Sequence, residues 1–155
     1  MPSGKRTTTG GIIALLGIGT LVAITVMASR AGAKKLRGAI DEILYYHTGL
    51  TNWGQLQPDT EVPLGTPVHF APLWINKSNQ PIVGHIDLTI TDPSGISYLP
   101  EAIAQQDKEA QPGNGYYVQF APFSPQRLGP HQLKVELSSE GQALDKKMMS
   151  FTVVP

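Results

Sequence analysis

Two kinds of apolar pattern divide this chain. From Gly11 to Ser29 there are nineteen uncharged, mostly apolar residues in one block. Beyond Gln57 the apolar residues instead alternate with polar ones. As a helix the block would be about 28 Å long, close to the roughly 30 Å of a bilayer's hydrocarbon core. It is apolar all round apart from Thr20 and Thr25, whose hydroxyls can bond back to the helix. This predicts a transmembrane helix over residues 11–30 after a tail over 1–10. A cleaved signal peptide is the competing reading, because Val26-Met27-Ala28 and Ala31-Gly32-Ala33 resemble cleavage sites. The run is longer than the 7–15 residues of an ordinary signal core, which favours retention.

The next stretch, KKLRGAIDEILYYHTGL, places Leu36, Ile40, Ile43, Leu44 and His47 at steps of four, three, one and three. That spacing predicts an amphipathic stalk helix and linker over 31–57, with Gly49 as its C-cap.

The alternating half predicts strands. In IVGHIDLTIT, Ile82, Gly84, Ile86, Leu88 and Ile90 share one face, and Asp92-Pro93-Ser94-Gly95 follows as a turn. Tyr116, Val118 and Phe120 alternate in the same way, as do Leu133, Val135 and Leu137, then Met149, Phe151 and Val153. PVHFAPLWI reads as a strand that is bent or at an edge because of Pro72, with Trp74 in the core. The fold class expected is therefore mainly β. A sandwich over 58–155 is an antiparallel immunoglobulin-like domain of the usual size, about 100 residues.

Charge sharpens the division. Six basic side chains and no acid lie in the first forty residues. Lys5 and Arg6 precede the apolar run; Arg30, Lys34, Lys35 and Arg37 follow it. They read as membrane-flanking residues, with the lipid bilayer as a partner. The charge count favours the C-terminal domain inside, whereas displayed sandwiches favour an extracytoplasmic domain; the second is the expectation adopted. Net charge is zero, which argues against nucleic acid. There is no cysteine, so disulfides, thiolate metal sites and thiol nucleophiles are excluded.

Candidate chemistry is sparse. His47, His69, His85 and His131 lack metal-ligand spacing, although His69 and His85 could be neighbours. No nucleophile motif or phosphate loop is present. The expectation is a non-enzyme with no cofactor. Asn76-Lys77-Ser78 fits the N-glycosylation pattern. The polar stretch Pro100 to Gly115 is the candidate interaction loop, carrying Glu101, Gln105, Gln106, Asp107, Lys108 and Glu109.

GNGYYVQFAPFSPQRLGPHQLKVEL resembles the repeat signature of filamin-type and related bacterial immunoglobulin-like domains. The matching positions are Gly115, Tyr117, Val118, Phe120, Pro122, Gly129, Leu133 and Val135. NQPIVGHIDLTITDPSG resembles their strand and Asp-Pro-x-Gly corner. The likeness spans Val62 to Val154 and departs in the PEAIAQQDKEAQPGNG insert. It implies a structural or protein-binding role, with a protein partner or a homo-oligomer. The alternative is an assembling subunit, either a pilin-like filament protein or a membrane-associated virion protein, suggested by a long helix followed by a β head.

Overall fold

The computed structural model describes residues 35–155, and every regular element among them is a strand. The tail, the uncharged run and the basic residues Lys5, Arg6, Arg30 and Lys34 lie outside the described residues.

The first strand, β1, is Gly38–Tyr46. The stalk helix expected there is thus corrected, and the sandwich begins near Leu36 rather than at residue 58. The physical reason is a β-bulge. Ile40 pairs with Trp74 and Glu42 with Leu73, so Asp41 is the extra residue. Leu36 and Ile40 point inward at even spacing; the bulge absorbs one odd step; Ile43 and His47 then point inward again. A bulged strand and a helix therefore share the steps of four and three. Ile40, Ile43, Tyr45 and Tyr46 also favour the pleated state.

Two sheets form the sandwich. One has the order β2 (Gly54–Gln55), β1, β4 (His69–Asn76), β9 (Gly115–Tyr117). The other runs β3 (Glu61–Pro63), β12 (Gln142–Val154), β11 (Gly129–Ser139), β5 (Ile82–Thr91), β6 (Ser97–Tyr98), with β8 (Lys108–Ala110) also on β5. A small pair, β7 (Ala102–Ala104) and β10 (Gln119–Phe120), extends beside β9. All pairings are antiparallel except β3 with β12. The first stretch of chain thus begins in one sheet and crosses to lie parallel to the last strand of the other.

The alternation read from the sequence sets the inner faces. Ile82, Ile86, Leu88 and Ile90 are buried from one strand, Tyr116, Val118 and Phe120 from the β9–β10 segment, and Leu133, Val135 and Leu137 from β11. Trp74 is fully buried, and its indole lies over Gly84 of the facing sheet. A Cβ at Gly84 would sit 2.4 Å from that ring. Gly115 is needed for a different reason: a Cβ there would meet the Trp74 carbonyl oxygen at 1.7 Å. Phe70 and Phe151 close the other half of the core across the two sheets, 5.4 Å apart.

Pro72 does not place β4 at an edge, which corrects that expectation. β4 is interior, with β1 on one side and β9 on the other. The donor that Pro72 lacks falls where the neighbouring strand is interrupted, between Tyr117 and Gln119; Val118 N–H still donates to the Pro72 carbonyl at 2.9 Å.

The sheet edges are closed by side chains. Ile40 N–H donates to Asp145 Oδ2 at 2.8 Å, and Lys147 Nζ donates to the Asp41 carbonyl at 3.0 Å, joining β1 to β12. At the other edge Gln106 stands in for a strand. Its Nε2 donates to the Ile86 carbonyl at 2.7 Å, and Ile86 N–H donates to its Oε1 at 2.9 Å.

Candidate functional site

The outer face of the four-stranded sheet carries a trough, and its shape follows from two cross-strand rows and a turn. In one row, Glu42, Leu73 and Tyr117 stand side by side on β1, β4 and β9. Tyr117 reaches over Leu73 and donates its phenolic hydrogen to Glu42 Oε2, so a bar spans the sheet. Burial, then the Glu42 bond and charge, push the Tyr117 pKa up to about 12, so the donor stays protonated. In the next row Leu44 pairs with Ala71. The small Ala71 leaves a depression of about 370 Å³, flanked by Leu44 and Gln119. Trp53, from the turn after β1, forms the opposite wall, with Ala104 and Gln105 at the rim. Trp53 is 39% exposed, and its ring is braced by Tyr46 at 5.7 Å. No lining residue is charged, and the Gln105 and Gln119 amides make no hydrogen bond to any described residue.

The residues singled out from the sequence are placed as follows. Lys35 and Arg37 are exposed where the chain enters β1. Arg37 is held through its backbone: its N–H donates to Ser78 Oγ at 2.7 Å, and its carbonyl accepts from Lys77 N–H at 2.9 Å. Asn76 is fully buried; its Nδ2 donates to the carbonyls of Gln80 and Ala110 at 2.8 and 2.9 Å. The nitrogen a glycan would need is thus inside the fold, which corrects the glycosylation expectation.

The Pro100–Gly115 stretch is not one open loop. It contains β7 and β8, and Glu109 is buried. Gln106 and Asp107 are fastened to β5, the first through Ile86 and the second through His85. Gln105 and Asp107 adopt positive φ, 67° and 56°. Glu101 is exposed, and its carbonyl accepts from Ala121 N–H. Lys108 pairs with Gly84 on β8. Of the six candidates only Gln105 reaches the trough.

His69 and His85 are on different sheets and are not neighbours. His69 Nδ1 lies 3.1 Å from the Phe120 carbonyl. His85 has a carboxylate at each ring nitrogen: Asp107 at 2.8 Å and Asp87 at 3.4 Å. Burial acts to lower its pKa, but the Asp107 bond and the two negative charges outweigh it, so the pKa is raised. With both nitrogens so engaged, the imidazole has no nitrogen left to serve as base to a nucleophile. Among the described residues no group of three or more His, Asp or Glu is placed to hold a metal ion.

Asp92, in the turn after β5, accepts from Ser94 Oγ at 2.7 Å, from Ser94 and Ile96 N–H, and from Tyr98 and Arg127. The Ser94 hydroxyl is the main cause of its pKa falling to about 2, against the opposing effect of burial; the Ile96 and Ser94 amides and Tyr98 add to it. This network locks a corner of the sandwich.

Sequence reasoning passed over the trough. Its parts come from five separated segments, and only Gln105, in the candidate loop, and Tyr117 and Gln119, on the polar side of an alternating strand, carried a local signal.

No protein-family model matches the chain, and no curated protein matches it in sequence. Solved structures do resemble it. The C-terminal domain of wzt superposes with a TM-score of 0.59 at 11% identity, covering 79% of this chain and 76% of that one. A CARDB domain from Pyrococcus furiosus gives 0.50 at 11% identity over 78% of this chain and 89% of that domain. A segment of Bacteroides uniformis beta-glucuronidase, 14% of that enzyme, gives 0.52 at 11% identity over 75% of this chain. At these identities the likeness is one of fold. The class it defines is the β-sandwich, consistent with an immunoglobulin-like arrangement of two sheets.

Proposed function

We propose that this protein is a non-catalytic binding module of immunoglobulin-like type, related in build to filamin-type domains and tethered to a membrane through residues 11–30, with the sandwich displayed outside the cytoplasm. The observation that carries the reading is the trough. A sheet face with an exposed, braced tryptophan and two amides that no described residue hydrogen-bonds is arranged for contact with something else. The uncharged run supports the tether. Among the described residues no helix is long enough and apolar enough to cross a membrane, so the tether rests on the sequence.

A photo-crosslinking residue in place of Gln119 tests the module in intact cells. A discrete adduct that disappears when Ala71→Leu fills the trough supports it. Absence of any adduct, with the full chain expressed and folded, refutes it. Carbonate washing tests the tether: release into the supernatant would exclude it.

The assembling-subunit alternative loses its long two-part helix, because β1 begins at Gly38. One observation still favours self-association. Leu64, Ile96 and Leu128 are exposed on turns at the end of the sandwich opposite residue 35. Concentration-dependent sedimentation of the full chain, abolished by Leu64→Ser with Leu128→Ser, would support a homo-oligomer.

A further inference from the structure

We infer that the trough binds a neutral saccharide chain, with a sugar ring stacked on Trp53 and its hydroxyls met by Gln105 and Gln119. The inference rests on the binding-module reading and narrows it to a ligand class. The trough's volume of about 370 Å³ lies toward the small end of ligand sites, which span roughly 300–1,000 Å³. Its walls are the indole of Trp53 and the phenol of Tyr117, and its floor is an alanine. A pyranose ring has an apolar C–H face that packs on an aromatic ring and an equatorial rim of hydroxyls that both donate and accept. An amide side chain also does both, and two of them stand at this site without partners among the described residues.

Other ligands fit less well. No lining residue is cationic, and the lining Tyr117 is bonded to the carboxylate of Glu42. A phosphate, sulfate or uronate would therefore meet a carboxylate and no counter-charge. A peptide binding by strand addition needs an open strand edge, whereas β4 beneath the trough is paired on both sides. A helix, about 10 Å wide with its side chains, needs a long apolar groove rather than a short transverse one.

The test uses the full chain in phospholipid nanodiscs, because glycosidic detergents would compete. Cellopentaose, maltopentaose and chitopentaose are the neutral probes, and oligogalacturonate of matched length is the anionic one. Calorimetry and tryptophan emission are followed together. We expect saturable binding of at least one neutral probe with a shift in Trp53 emission. Trp53→Ala should weaken it by at least about tenfold, and Trp53→Phe should restore part of the loss. Ala71→Leu, which fills the floor and leaves Trp53 in place, should weaken it by at least about tenfold as well. The inference is overturned by no response from any neutral probe up to about 10 mM. It is equally overturned by binding that survives Trp53→Ala, or by oligogalacturonate binding as tightly as the neutral probes. A protein adduct at the Gln119 crosslinker without any sugar response would overturn the saccharide assignment and leave the module standing.

Discussion

Single residues carry constraints that their neighbours cannot relieve. Gly84 is one, because the ring beneath it is fully buried and fixed between the sheets. Gly84→Ala should destabilise the domain by about 1–3 kcal/mol, as overpacking does. Urea unfolding would show a lower midpoint with an unchanged slope; an unchanged midpoint would mean that the indole has room to move. Asp92 sets an acid limit. Its carboxylate has a folded pKa near 2 against an ordinary value of 3.8. The ionised group binds its donors better when folded, so its contribution is complete above the ordinary value and is lost as pH falls through about 2. Asp92→Asn should flatten that part of the stability–pH curve, measured by thermal melts from pH 5 to 2. The sequence showed Asp92 as part of a turn but not as its hub, since Arg127 and Tyr98 arrive from elsewhere in the chain. Asn76 misleads in the opposite way: its three-residue motif is complete, yet burial removes the chemistry it suggests.

Elements show why some patterns are legible and others are not. β5 and β11 alternate without interruption, so their buried faces were readable directly. β1 carries a bulge, and its apolar steps of four and three imitate a helix. The same bulge turns Glu42 and Leu44 outward, which puts one under Tyr117 and the other beside Ala71. At the opposite edge, Gln106 covers the backbone of Ile86 and the neighbouring Asp107 holds His85. Gln106→Ala should raise the hydrogen-exchange rate of the Ile86 amide by about thirtyfold, since a net hydrogen bond is worth about 1 kcal/mol and two are lost. Unchanged exchange would show that another group covers that edge. The His85–Asp107 contact has the reverse pH sign to Asp92. With a raised folded pKa, its contribution is present below the ordinary histidine value of 6.5 and is lost as pH rises through the folded value. The segment should therefore exchange faster at pH 8 than at pH 6 after correction for intrinsic rates; His85→Gln should remove the difference.

For the whole molecule, the position of β1 decides what can fold. It covers one edge of β4 and contributes Ile40 and Ile43 to the core. A chain starting at Lys35 should fold and give a β-type circular dichroism spectrum. One starting at Gln57 should be unfolded or aggregated, because β4 would have an open edge beside a fully buried tryptophan. Equal stability of the two would show that β1 is dispensable. Sidedness also belongs to this scale: protease added to sealed cells should reach the sandwich and spare the N-terminal tail. Protection of the sandwich until detergent is added would reverse the orientation proposed here.

The direct run from residue 35 into β1 has a mechanical meaning. β1 and β4 lie antiparallel, and their pairs from Gly38 with Asn76 to Tyr46 with His69 span the length of the sheet. A pull on the N-terminal segment, resisted at the outer face of β4 and β9, acts along the strand axis. It loads this ladder in shear, so that many hydrogen bonds share the force instead of opening one after another. The Asp145 and Lys147 bonds to β1 add lateral bracing along the same line. A domain built this way resists tension applied through its N-terminal segment.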